Sequence, residues 1–165
     1  MTETLCAPLA PKMTPTSAPF WAALGEGQVV LQQCDDCEAW VFYPRPRCPR
    51  CLSAALAWKP ASGRATLTTW THCPRPTAPP FAGLAPQTLA VVTLEEGVRM
   101  STFLLETTGR TLELGMALAP RFVPTEDGTA TLLAFAPAQA GVEARRASRR
   151  ASRSRSRAWR AGVRG

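Results

Sequence analysis

Four of the six cysteines stand in two pairs: Cys34-Asp-Asp-Cys37 and, after ten intervening residues, Cys48-Pro-Arg-Cys51. A Cys-x-x-Cys turn delivers two sulfurs to one side of a tight loop. Two such turns facing each other supply a tetrahedron of thiolates, which Zn²⁺ prefers at about 2.3 Å per bond. With Cys34, Cys37, Cys48 and Cys51 all bound, no coordination position is left for water. Such a site does no Lewis-acid or hydroxide chemistry and is structural. A rubredoxin-type iron centre reads the same way in the sequence, and free or redox-active thiols are the other alternative. The stretch from Val29 to Trp58 is too short to bury a sufficient core alone, so its folding is expected to depend on the ion.

Other chemistry is sparsely provided. The chain has one histidine, His72, and one tyrosine, Tyr43. His72 adjoins Cys73, which suggests a nucleophile and its base. Neighbours on a strand point to opposite faces, however, so the two should not meet. Glu95-Glu96 precedes Gly97 between two apolar runs and reads as a solvated turn. No Gly-rich phosphate loop or serine elbow is present. The sequence therefore assigns no catalytic residue, and the folded part is not expected to be an enzyme on its own.

The elements that must position the cysteines are mainly β. Ser17 is expected to N-cap a short helix through Leu24, with Pro19 in its first turn and Gly25 stopping it. Phe20, Trp21 and Leu24 give that helix one apolar face. A helix packed on the core and a helix docking a partner both fit this pattern. Gln28 to Gln33, Trp40 to Tyr43 and Leu56 to Lys59 read as short strands around the two cysteine turns. From Gly63 the texture becomes successive β segments: Arg64 to Cys73, Thr88 to Leu94, Val98 to Leu105, Met116 to Val123 and Thr129 to Ala136. Glu95-Glu96-Gly97 makes a hairpin of the second and third, and Glu126-Asp127-Gly128 joins the last two. Five strands with these connections suit a small barrel of the OB type. The expected division is a flexible leader (1–15), helix and zinc ribbon (16–60), OB-fold (61–138) and a basic tail (139–165).

Net charge of +7 would suggest a nucleic-acid binder if it were spread over the body. It is not. Residues 1–140 hold ten basic against eleven acidic side chains, whereas 141–165 hold nine arginines against Glu143 alone. The tail is expected to be disordered. Its arginines could bind phosphate backbones by counterion release, yet Trp159 is the only aromatic to stack on a base. Its Arg-Arg-Ala-Ser repeats also resemble basophilic kinase sites at Ser148 and Ser152. Nucleic acid is thus not an expected partner, and a nucleic-acid-binding ribbon–OB protein is a rival reading. No window is apolar enough to span a bilayer, and Met1 to Lys12 lacks the pattern of a secretory signal. Paired cysteines in such a chain favour metal over disulfides and a cytoplasmic location, leaving Cys6 and Cys73 as free thiols. The loop from Cys73 to Pro86 is stiffened by prolines and carries Phe81 and Leu84. It is either a contact surface, since a stiff apolar loop loses little entropy on docking, or a flap folded over the barrel.

The order of features is familiar. Phe20-Trp21, the four-cysteine ribbon with Pro44-x-Pro46 between its turns, and Gly63-Arg64-Ala65-Thr66-Leu67 with Trp70-Thr71 come first. The Leu94 to Arg99 hairpin, Leu114-Gly115-Met116 and Ala134-Phe135-Ala136-Pro137 follow. From about Pro19 to Pro137 the chain resembles the acyl-CoA-associated family that joins a rubredoxin-like zinc ribbon to an OB-fold. The resemblance implies an accessory subunit in a hetero-oligomer with a thiolase-superfamily enzyme. Such partners include acyl-CoA acetyltransferases, condensing enzymes and lipid-transfer-protein-like aldolases of steroid degradation. A hotdog-fold enoyl-CoA hydratase is the alternative. The partner supplies the catalytic groups and meets the acyl-CoA. Phe20, Trp21, Phe81 and Leu84 are then the expected partner-binding residues. Where the family often has glycine after each cysteine turn, this chain has Glu38 and Leu52.

Overall fold

The computed structural model describes residues 10–75 and 86–138. Phe81, Leu84, Cys6 and the tail from residue 139 lie outside the described residues.

The short helix α1 (Ala18–Gly25) is followed by β1 (Val30–Cys34), β2 (Trp40–Val41) and β3 (Leu56–Pro60). Five longer strands follow: β4 (Ala65–Cys73), β5 (Gln87–Leu94), β6 (Arg99–Leu104), β7 (Ala117–Pro124) and β8 (Thr131–Pro137). Every expected strand is present, with no end displaced by more than two residues.

The ends of α1 depart from expectation in an instructive way. Ser17 occupies the N-cap position but makes no side-chain cap, and its backbone is already helical (φ −95°, ψ −11°). Its hydroxyl is engaged by Thr14, whose N–H donates to it at 3.0 Å. Gly25 is the last helical residue, not the stop. Gly27 ends the helix in the left-handed region at φ 71°. Its N–H reaches the Leu24 carbonyl at 3.0 Å, and the Gln28 N–H reaches that of Ala23 at 2.9 Å. This paired closure caps the carbonyls at the helix end, that of Ala23 also accepting the Glu26 N–H at 3.1 Å.

The first three strands form an antiparallel sheet in the order β2-β1-β3. The other five close into a barrel in the order β4-β5-β6-β8-β7, with β7 returning to β4 through Ala65 opposite Leu118 and Thr66 opposite Ala117. All barrel pairs are antiparallel except β6 with β8, which meet in parallel at Leu104 and Phe135. Closure with the third and fifth strands parallel is the OB-fold topology, and it removes the exposed edges an open sheet would carry. Gly97, at φ 81°, supplies the left-handed residue of the three-residue β5–β6 turn.

Ribbon and barrel share one hydrophobic core. Phe20, Leu24 and Val29 join Leu67, Val92, Leu94, Leu118 and Phe135 in a single buried cluster. Burying side chains of this size contributes about 1.5–3 kcal/mol each, so α1 fastens the ribbon to the barrel. Gly63 lies between β3 and β4 at φ 70°. A Cβ built there would stand 3.1 Å from Pro120 Cγ and 3.3 Å from Val29 Cγ2. Only glycine lets the linker pass between the ribbon's Val29 and the barrel's Pro120. Among the described residues no helix is long and apolar enough to cross a membrane.

Candidate metal centre

The chain makes the same turn twice. In the first knuckle the Glu38 N–H returns to the Cys34 carbonyl at 2.9 Å, and the Cys34 N–H donates to Ala39 O at 2.9 Å. In the second, Leu52 N–H returns to Cys48 O at 2.9 Å and Cys48 N–H donates to Ser53 O at 2.8 Å. The residue before each leading cysteine braces its own turn. Gln33 Nε2 donates to Glu38 O at 3.0 Å, and Arg47 Nη1 to Leu52 O at 3.2 Å. Glu38 and Leu52 occupy equivalent left-handed positions, at φ 57° and 64°. This is the conformation for which glycine is the usual choice, and it costs an L-residue roughly 1–2 kcal/mol. The expected knuckle geometry is reached in spite of the missing glycines.

The two turns face each other. The sulfurs of Cys34, Cys37, Cys48 and Cys51 all lie within 4.8 Å of one another. Cys34 Sγ is 3.5 Å from Cys51 Sγ, and Cys37 Sγ is 3.6 Å from Cys48 Sγ. A disulfide needs about 2.05 Å, so these are free thiols across a central space. Sulfurs at tetrahedral corners 2.3 Å from an ion would be about 3.8 Å apart. Four soft donors at this spacing fit Zn²⁺. Cys34, Cys48 and Val41 are buried together, with Cys37, Ala39 and Leu56 packed against them.

The sulfurs do not titrate alike. Backbone amides, chiefly that of Cys51 and also that of Arg50, hold the Cys48 sulfur, against a burial penalty, and bring its pKa from 9.0 down to about 7. Cys51 is pushed up to about 12. The Ser53 amide lowers it, but the neighbouring Cys37, desolvation, Cys34 and Cys48 together outweigh that pull. Cys37 is also raised: the Ala39 amide and Cys51 lower it, and burial with Cys48 and Cys34 prevails. Of these three, only Cys48 is held toward the thiolate, the form that binds a cation.

A buried glutamine holds the loop between the knuckles. Gln32 Oε1 accepts the Arg45 N–H at 2.7 Å, and Gln32 Nε2 donates to Arg45 O at 3.1 Å. Pro44 and Pro46 flank the clamped residue and contribute no N–H of their own. Nothing in the sequence distinguished Gln32 from exposed Gln28 or half-buried Gln33. The signal, legible afterwards, is a polar residue on the inward side of a strand next to buried Leu31.

The remaining candidates are scattered. Phe20 is in the core at 4% exposure, which removes it from the expected docking surface. Its face is needed to join ribbon to barrel. Trp21 is half-buried with its ring edge-on to Phe20 at 5.1 Å. His72 and Cys73 are consecutive on β4, opposite Thr88 and Gln87, so alternation sends their side chains to opposite faces. Glu95 forms a two-pronged ion pair with Arg64, and Glu96 accepts the Ser62 N–H at 2.6 Å. Both glutamates are thus engaged in structure.

Comparison with known proteins adds to this geometry. The family model for the ChsH2 rubredoxin-like zinc ribbon domain matches residues 21–57, and that for the ChsH2 C-terminal OB-fold domain matches 58–123. Together they span more than half of the chain. A probable enoyl-CoA hydratase alpha subunit of Thermomonospora curvata is 30% identical over 120 residues, which are 72% of this chain and 37% of that protein. The chain thus spans just over a third of that relative's length. Among solved structures, a chain of the Ltp2-ChsH2(DUF35) aldolase superposes with a TM-score of 0.68 at 26% identity, covering 78% of this chain and 98% of that one. A DUF35-family protein of unknown function from Sulfolobus solfataricus shares the fold, with a TM-score of 0.53 at 10% identity over 76% of this chain and 87% of that one.

Proposed function

The chain belongs to the ChsH2 family of zinc-ribbon and OB-fold proteins, and from that premise we propose that it is a non-catalytic accessory subunit of an acyl-CoA enzyme. Its partner, on this reading, is a lipid-transfer-protein-like aldolase subunit of the thiolase superfamily. The observation that carries the reading is the likeness to a chain of the Ltp2-ChsH2(DUF35) aldolase over 98% of that chain. The site chemistry agrees with it. A metal held by Cys34, Cys37, Cys48 and Cys51 has no open position for substrate, and His72 is not placed to act on Cys73. The ion's task is to hold two knuckles that are too small to fold alone.

Purified protein is to be mixed with a lipid-transfer-protein-like subunit from the same genome and followed by size-exclusion chromatography and a retro-aldol assay. Co-elution with raised aldolase activity is expected. Separate peaks, with the enzyme's activity unchanged, would overturn the proposal.

A second reading has its own support. The likeness to the hydratase alpha subunit, at 30% identity, favours an enoyl-CoA hydratase as the partner. Hydration of an enoyl-CoA by a hotdog-fold subunit that responds to this protein, with no response from the aldolase, would select it.

A further inference from the structure

The second knuckle displays more than a metal ligand requires. Leu52 is 70% exposed and Tyr43 60% exposed. Between them Arg45, Arg47 and Arg50 are all exposed, and this ten-residue segment contains no acidic side chain. Among the described residues none of the three arginines forms an ion pair, the pairs being Lys59–Asp35, Arg64–Glu95 and Arg121–Glu106.

Leu52 is the most informative of these residues. It stands at φ 64°, where an L-residue is strained, and most of its side chain lies in solvent. The turn imposes the same conformation on Glu38, so what sets Leu52 apart is a large apolar side chain left in solvent there. The segment is also stiff. Gln32 holds both backbone polar groups of Arg45, Pro44, Pro46 and Pro49 restrict the backbone, and Arg47 is fixed on the Leu52 carbonyl. A stiff segment loses little conformational entropy on binding. Tyrosine and arginine are the residue types that anchor protein interfaces.

We infer that the Tyr43–Leu52 knuckle is a docking surface for an acidic patch on the partner enzyme subunit, with Leu52 and Tyr43 as apolar anchors and the three arginines setting charge and register. This rests on the accessory-subunit reading and specifies the face through which it acts. The occupant follows from charge: three exposed guanidiniums with no ion pair among the described residues call for carboxylates, and such contacts speed and orient association. The acidic first knuckle of a second copy, with Asp35, Asp36 and Glu38, is the competing occupant.

The test measures the dissociation constant of the complex with the lipid-transfer-protein-like subunit at about 50 and about 500 mM salt. The wild type, Leu52→Gly and Arg45→Glu/Arg50→Glu are compared, with zinc content and melting temperature recorded for each. Leu52→Gly relieves the backbone, so it should melt no lower than wild type while binding at least about fivefold more weakly. Arg45→Glu/Arg50→Glu should bind at least about tenfold more weakly at low salt and lose most of the wild type's salt dependence. Wild-type affinity in both folded variants would overturn the docking surface and leave the accessory role standing. Failure of the wild type to bind at all would overturn both. Self-association of the free wild type that the arginine variant abolishes would assign the knuckle to a second copy and overturn the inference.

Discussion

Gly63→Ala should loosen the joint between ribbon and barrel, and the size of the effect can be worked out from its surroundings. The position has φ 70°, which costs alanine about 1–2 kcal/mol. The new methyl would stand 3.1 Å from Pro120 Cγ and 3.3 Å from Val29 Cγ2. Proline's ring cannot turn aside, and overpacking of this kind costs about 1–3 kcal/mol. Alanine's smaller unfolded-state entropy returns about 0.5–1 kcal/mol. The net expectation is a loss of about 1–4.5 kcal/mol. Urea titrations of the zinc-loaded protein, followed by far-ultraviolet circular dichroism, measure this directly. Truncating the obstruction supplies a control. Pro120→Ala combined with Gly63→Ala should recover the packing share but not the backbone share, giving a coupling of at least about 0.5 kcal/mol. A Gly63→Ala variant within about 0.5 kcal/mol of wild type would refute the close passage of the linker between Val29 and Pro120.

Other perturbations follow from the same structure. Gln32→Leu would orphan the Arg45 N–H and carbonyl beside a buried strand, and chemical denaturation should show a loss of about 1–3 kcal/mol. Glu38→Gly and Leu52→Gly should each stabilise the protein, by about 0.5–1 kcal/mol once glycine's entropy is set against the relieved backbone. Thermal melts that fall instead would contradict the strained assignment. The Arg64 side chain holds Glu95 below its ordinary pKa of 4.5, with burial opposing. The pair's contribution is therefore present above that ordinary value and lost as pH falls through the depressed one. Arg64→Ala should return the Glu95 titration, followed by NMR, toward 4.5, while changing stability at neutral pH by less than about 1 kcal/mol because both groups are half exposed.

The legible part of this molecule was that governed by local rules. Cysteine spacing gave the knuckles, since a two-residue interval allows few ways to present two sulfurs. Alternation and turn chemistry at Glu95-Glu96-Gly97 and Glu126-Asp127-Gly128 gave strands, hairpins and barrel class. What local rules could not reach were choices made by tertiary contact. Ser17 is a strong capping residue, but Thr14 claims its hydroxyl. Gly25 is the helix stop expected from the sequence, and the closing bonds from Gly27 and Gln28 carry the end to Gly27. Phe20 could face a partner or the core until the position of the barrel is known. Gln32 and Gly63 act across distances along the chain that periodicity does not register. The departures at Glu38 and Leu52 carried the opposite lesson: the turns tolerate them by accepting strain, and an exposed leucine where the first knuckle has a glutamate is what singles out the second.

The most direct test is metal analysis paired with a melt. Freshly purified, colourless protein should carry one zinc per chain. Cys48→Ser, which removes the sulfur gripped by two backbone amides, should lose the ion, melt far lower and no longer co-elute with the aldolase subunit. A folded chain with no bound metal, or a Cys48→Ser variant that melts and co-elutes like wild type, would contradict a platform braced by its metal.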